Sequence, residues 1–442
     1  DTMRKKHFLF ASVLALLCGS SALHAQDFKL TSSGYFKNQG VDIMAFDDIY
    51  PEGHQGGVCI IMNGHRVATN GDIRLEATPG QWQPVPKQLD RKLGDNSITA
   101  TLCYPDSSRH LTGFNPMIYP DLHLIYTVNV ESKGKNIEVT VDLDRPIPQE
   151  FIGKVGFNLE FFPGSLFGKP WIMDGQSGIF PQQPNSPLMT TQPNYLHTGN
   201  YHDGKQSLAD MDKLIGKGYS PIVADDIISE PYAKGRKFTS RPDDPYNKVT
   251  IESLSGDLQL FDGRMNHNNG WFVLRSNIKP GVTKGAVKWI ITPNVVADWM
   301  YQPVIQTSQI GYHPAQDKEA VIEMDIRDNR KETAQIIRID ADGEKVVKNV
   351  TPANWGKFLR YNYLKVNFTD VKEPGLYKIK YNTSVSPIFR IDNDVYARGV
   401  WQPVLEYFLP VQMCHMRVNE KYRVWHDCCH MDDAQMAPAH NH

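Results

Sequence analysis

Cysteine is scarce in this 442-residue chain, six in all, and long apolar runs are scarcer. Beyond the N-terminal segment no stretch reaches the ~18 apolar residues of a membrane-spanning helix. Charge of one sign is also missing. The formal net charge is −2 and no basic face stands out, which argues against nucleic acid or an anionic membrane as partner. What is present is ordinary for packed domains: 40% hydrophobic and 10% aromatic residues, in a length that suits two to three domains. Pro 29 and Gly 33 imply many turns and favour β structure over helical bundles.

Met3 reads as the start, with Asp1 and Thr2 before it. Arg4, Lys5 and Lys6 form a positive n-region, Phe8 to Leu17 an apolar h-region, and Leu23-His24-Ala25 a cleavage point before Gln26. Residues 1–25 are therefore expected to be a signal segment, with the signal peptide itself at 3–25. The protein is expected to be exported to periplasm, cell surface or medium. A lipoprotein signal with Cys18 as the lipidated residue is the alternative; Leu17 is bulky for it. Export permits disulfides. The mature chain holds Cys59, Cys103, Cys414, Cys428 and Cys429. Cys59 and Cys103 sit in strand-like apolar runs and read as buried thiols or one mutual disulfide.

Residues 26–302 read as one large β-sandwich. Short runs rich in Val, Ile, Tyr and Phe recur between Gly, Pro, Asn and Asp. Leu122 to Val130, the turn Ser132-Lys133-Gly134-Lys135-Asn136 and the alternating Ile137 to Leu143 predict a hairpin. Phe180 to Tyr246 is long, polar and Pro-rich, the kind of loop that often carries binding function. In pattern the region resembles the supersandwich modules of carbohydrate-active proteins. Asp47-Asp48, Asp225-Asp226 and Asp243-Asp244 are paired carboxylates, more simply explained as turn formers than as catalysts. His197 and His202 flank a turn. Trp82, Tyr119, Trp171, Tyr195, Tyr201 and Trp271 offer aromatic faces for sugar stacking, or core packing.

Residues 303–392 read as a compact Ig-like β-sandwich without a cysteine pair to pin its sheets. It opens with Gln306-Thr307-Ser308-Gln309-Ile310-Gly311-Tyr312-His313-Pro314 and closes near Glu373-Pro374-Gly375-Leu376-Tyr377. After Asp392-Asn393-Asp394, Val395, Val400, Trp401, Val404, Leu405 and Phe408 recur at helical spacing. Gln412-Met413-Cys414-His415 and Cys428-Cys429-His430-Met431-Asp432-Asp433-Ala434 follow.

In this order, the Gln-x-Gly-Tyr-x-Pro opening, the Pro-Gly-x-Tyr strand and the two cysteine motifs resemble glycoside hydrolase family 9, its N-terminal Ig-like domain and the start of its catalytic domain. The likeness runs from about Ile305 to the end. It departs from the family at Met413 for Arg, His415 for Gly, and the doubled cysteine. The expected fold is mainly β and multidomain: a large supersandwich-like N-terminal β-sandwich, an Ig-like cellulase N-terminal domain at 303–392, and at 393–442 the first helix of a truncated (α/α)6 barrel.

The resemblance implies that Cys414, Cys429 and His430 hold a structural zinc, since thiolate and imidazole are its preferred ligands. His415, His426, His440 and His442 are further ligand candidates. A disulfide from Cys414 to Cys428 or Cys429, or unbonded thiols, are the other readings. The family inverts with two carboxyl groups roughly 6.5–9.5 Å apart. Its base lies in an Asp-Ala-Gly-Asp motif that this sequence lacks, and its acid is a late Glu. Asp340-Ala341-Asp342-Gly343 is a lookalike in a hairpin turn, and Asp432 and Asp433 come too early in the motif order. No catalytic residue is expected in this chain. The parent is expected to be an exported hydrolase of β-1,4-glucan (cellulose, xyloglucan or mixed-linkage glucan), with β-glucan polysaccharide or oligosaccharide as partner and this chain a fragment. The alternative is a non-catalytic carbohydrate-binding or scaffold protein with a metal-bound C-terminal knot.

Overall fold

The computed structural model describes residues 27–47, 56–76, 78–79, 86–104, 122–185, 188–190, 227–265, 270–406, 418–420 and 423–425. The chain divides into two compact units, Asp1–Trp299 and Met300–His442.

Among the described residues the first unit contains two nine-stranded sheets. One runs in the order Lys29–Leu30, Phe36–Asn38, Val41–Ala45, Val58–Met62, His65–Leu75, Val155–Phe161, Phe272–Asn277, Leu258–Asp262, Ala233–Gly235. The other runs Gln176–Ile179, Pro170–Met173, Lys237–Ser240, Val249–Ser253, Val287–Pro293, Asn136–Leu143, Ile125–Lys133, Ser97–Cys103, Lys87–Leu93. Side chains from both sheets form one continuous core, which makes the unit a sandwich. The predicted hairpin is present, Ile125–Lys133 against Asn136–Leu143. Gly134 supplies the positive φ its turn requires, and every second residue of the return strand is buried. Val155–Phe161 is instead buried along its whole length, as a central strand covered on both faces must be. Trp289 meets Phe157 edge-to-face at 4.9 Å, and its ring N–H donates to the Ser276 hydroxyl at 3.1 Å, so a large apolar ring is buried without orphaning its donor. Cys59 and Cys103 are thiols on different sheets, which excludes the mutual disulfide.

The second unit places a four-stranded sheet (Val304–Gln306, Glu319–Asp325, Tyr361–Asn367, Ala353–Phe358) and a five-stranded one built on Ala334–Asp340 and Gly375–Tyr381 around a separate core. Gln306 to Lys318 explain how this Ig-like sandwich is held without a disulfide. Tyr312 is buried, its ring edge-on to Phe368 at 5.1 Å and Phe389 at 5.3 Å. Its hydroxyl accepts from the Ser308 N–H at 3.0 Å and donates to the Glu319 carbonyl at 2.9 Å, tying the opening loop to the first long strand. Lys318 is wholly buried, and its ammonium donates to the carbonyls of His313, Pro314 and Gln316 at 3.4, 2.8 and 2.9 Å. All three ammonium donors are thereby met by the same loop. Gly311 has φ +93°, and a Cβ there would lie 2.2 Å from the Arg390 carbonyl oxygen. Only glycine fits.

Helix begins later than its spacing predicts. Residues 393–401 are turns and bends, and helix covers 402–406. Gly399, at φ +74°, interrupts the right-handed backbone between Val395 and Trp401.

Gly311→Ala should destabilise the second unit by on the order of 2–3 kcal/mol, from positive-φ strain and a backbone clash. Thermal or denaturant unfolding of the purified chain measures it. An unchanged transition for the second unit would mean that the loop can shift freely and pins nothing.

Candidate functional site

Two acids in the first unit have the perturbed acidity that often marks active sites. Burial pushes the Asp72 carboxyl up to about 6, against Arg74 at 3.5 Å and the Tyr126 hydroxyl at 2.9 Å, which both favour its charge. Burial likewise lifts Glu76 to about 7, despite Arg275. Arg275, 1% exposed, spends all five guanidinium donors inside the protein. They go to Asn277 Oδ1 at 2.7 Å, Glu76 Oε1 and Asn158 Oδ1 at 3.2 Å each, and the Glu76 and Lys154 carbonyls at 2.9 Å each. Asn158 in turn donates to Glu76 at 2.5 Å. These residues lie on three adjacent strands and are sealed from solvent, so a polysaccharide cannot reach their carboxyl oxygens. The arrangement is structural.

Of the acids that the sequence singles out, the described ones serve turns and edges. Asp244 accepts from Arg241, from the Tyr246 N–H at 2.9 Å and from the Asn247 amide at 2.9 Å, closing a turn. Asp47 lies 3.7 Å from Arg91. Asp340 and Gly343 face each other across a hairpin turn. Trp171 is buried against Gly178, where any Cβ would meet its ring at 2.4 Å, and Trp271 packs edge-on to Phe162 at 4.5 Å. Trp82, Tyr119, Tyr195, Tyr201, His197, His202, Asp48, Asp225 and Asp226 lie outside the described residues, as do the signal segment, Cys428 and the expected ligands Cys414, Cys429 and His430. Among the described residues no group of three or more His, Cys, Asp or Glu side chains could hold a metal ion.

An open aromatic surface appears on the second unit. In the four-stranded sheet, Ile322, Leu364 and Val366 point into the core, which by strand alternation sends Val321, Glu323, Tyr361, Tyr363 and Lys365 to the opposite face. A bulge between Asn354 and Gly356 breaks the edge-strand register beside Tyr363. Trp355 meets Tyr363 edge-to-face at 5.6 Å, and Phe358 stands opposite Tyr361. Val321, Trp355, Phe358, Tyr363 and Lys365 line a shallow hollow of about 240 Å³. Glu323 anchors the platform from one side, accepting the Tyr301 hydroxyl at 2.9 Å and the Tyr363 hydroxyl at 3.3 Å. Burial and then that carboxylate push the Tyr301 hydroxyl well above the ordinary tyrosine range. Lys365 pairs with Glu319 at 2.6 Å. The sequence signal for this surface was the i, i+2, i+4 run Tyr361, Tyr363, Lys365.

Residues 300–386 match the model of the cellulase N-terminal Ig-like domain. A crystal structure of a metagenome-derived glycoside hydrolase family 9 endoglucanase is similar to part of the chain, at 26% identity over 27% of this chain, with a TM-score of 0.21. The chain spans only 23% of that enzyme's length. No curated protein matches the sequence.

The buried acids give a pH dependence of definite sign. A carboxyl raised in the fold from 4.5 to about 7 holds its proton more tightly folded than unfolded. Its contribution to stability is complete below pH 4.5 and lost as pH rises toward 7. Glu76→Gln should flatten the decline of the first unit's melting temperature across that interval, and melts at stepped pH test this. An identical slope in the variant would assign the dependence elsewhere.

Proposed function

We propose that this chain is the accessory, non-catalytic portion of an exported family 9-type glycoside hydrolase that cleaves β-1,4-glucan by single-displacement inversion. The observation that carries the reading is the cellulase-type Ig-like domain at 300–386. The helical start at 402–406 and the Cys-His motifs after it fit the entry to a helical catalytic domain. Asp72 and Glu76 are sealed in the core, Asp244 and Asp340 serve turns, and Asp47, Glu319 and Glu323 are engaged by Arg91, Lys365 and two tyrosines, so the inverting pair is not expected among them. The purified chain should release no reducing sugar from carboxymethylcellulose, xyloglucan or mixed-linkage glucan. Release that survives repurification would overturn the assignment.

The same reading gives Cys414, Cys429 and His430 a structural role. Two thiolates and an imidazole are a zinc donor set, and zinc there would add its binding energy to folding. Metal analysis should return about one zinc per chain, lost in Cys414→Ser and Cys429→Ser. Substoichiometric zinc with Cys414 in a disulfide would replace the metal by a covalent link.

A further inference from the structure

Trp355 and Phe358 expose 58% and 57% of their surfaces although both are large and apolar. Contiguous exposed apolar patches often mark binding sites. Aromatic side chains carry about 150–250 Å² each, so the open patch is on the order of 300 Å². That is well below the ~800 Å² per partner of a stable protein interface. Charge narrows the occupant further. Lys365 is matched by Glu319, and Glu323 keeps its negative charge beneath two tyrosine hydroxyls, so these residues leave no surplus cation to attract an anionic ligand. A narrow, neutral partner with an apolar face and a polar rim fits.

We propose that the outer face of this four-stranded sheet binds a neutral β-1,4-linked glycan chain, laid across Trp355, Phe358 and Tyr363. In such a chain the ring substituents are equatorial, so each sugar presents axial C–H bonds above and below its plane and keeps its hydroxyls at the edge. The C–H faces lie on the aromatic rings, and the edge hydroxyls reach the Lys365 ammonium, the Glu319 carboxylate and the Tyr363 hydroxyl. Tyr363 braces Trp355 edge-on, so the platform is set before the ligand arrives and little side-chain freedom is lost on binding. Gly356 lies opposite Tyr363, and a Cβ there would meet nothing within 4 Å, so the space at the edge strand is open. The platform would hold an accessory domain against polymer while chemistry proceeds elsewhere.

That the glycan is a glucan rests on the proposed function; the platform itself rests on the geometry. The test uses the full chain, titrated with cellohexaose and with xylohexaose while tryptophan fluorescence is followed, and a pull-down on swollen cellulose. The wild type should bind cellohexaose, and Trp355→Ala/Phe358→Ala should weaken binding at least about tenfold with melting temperature unchanged, since both rings lie on the surface. Equal binding by the double variant would overturn the platform and leave the glucan reading standing. Binding of xylohexaose alone, lost in the same variant, would support the platform and overturn the glucan reading. No binding of either sugar overturns the platform, as does a wild-type dimer in sedimentation that the double variant dissolves.

Discussion

Arg275 must find five acceptors inside the first sandwich, because water cannot reach it. The acceptors come from the end of His65–Leu75, from Val155–Phe161 and its preceding turn, and from its own strand Phe272–Asn277. One side chain therefore fixes the register of the three central strands, and the rest of that sheet extends from them. Lys318 does the corresponding work in the second unit, where three loop carbonyls surround its ammonium. In both cases a cation without water organises the chain around it. Removing either would leave buried acceptors unpaired, at a cost of several kcal/mol rather than the fraction typical of a surface contact.

The family signature in the second unit then has a physical meaning. Gly311 is required by the Arg390 carbonyl, Tyr312 joins three segments through one hydroxyl and one ring, and Lys318 closes the loop. These residues substitute for the missing disulfide of an Ig-like sandwich. They hold a fold and say nothing directly about sugar chemistry. The resemblance identifies a domain type; the substrate follows only by proposal.

Legibility in the sequence tracked burial. Asn136–Leu143 and Glu319–Asp325 alternate between a core and a wetter face, and both stand where their patterns place them. Gly343–Val350 and Ala353–Phe358 are largely exposed, so no apolar period announced them. The role of Arg275 was hidden for the opposite reason: within Val273-Leu274-Arg275-Ser276-Asn277 nothing local tells a buried arginine from a solvated one. Apart from Asn277, its partners are 117 to 199 residues away along the chain. The helix was placed too early because apolar spacing survives a glycine that backbone geometry does not. The aromatic face was present as Tyr361 and Tyr363 at strand spacing, but its exposure depends on Ala353–Phe358, the strand that went unread.

Perturbed acidity and functional access separate in this protein. Asp72 and Glu76 have acidities a hydrolase would use, yet they reach them by being sealed beside arginines, where no substrate arrives. The four-stranded face instead offers rigid rings to solvent. A catalytic acid needs both properties together, a raised pKa and an open path to a leaving oxygen. Asp72 and Glu76 have the first without the second. Two sandwiches built around internal cations are well suited to holding a surface still, and a still aromatic surface without surplus cations is what an extended neutral polymer can adhere to.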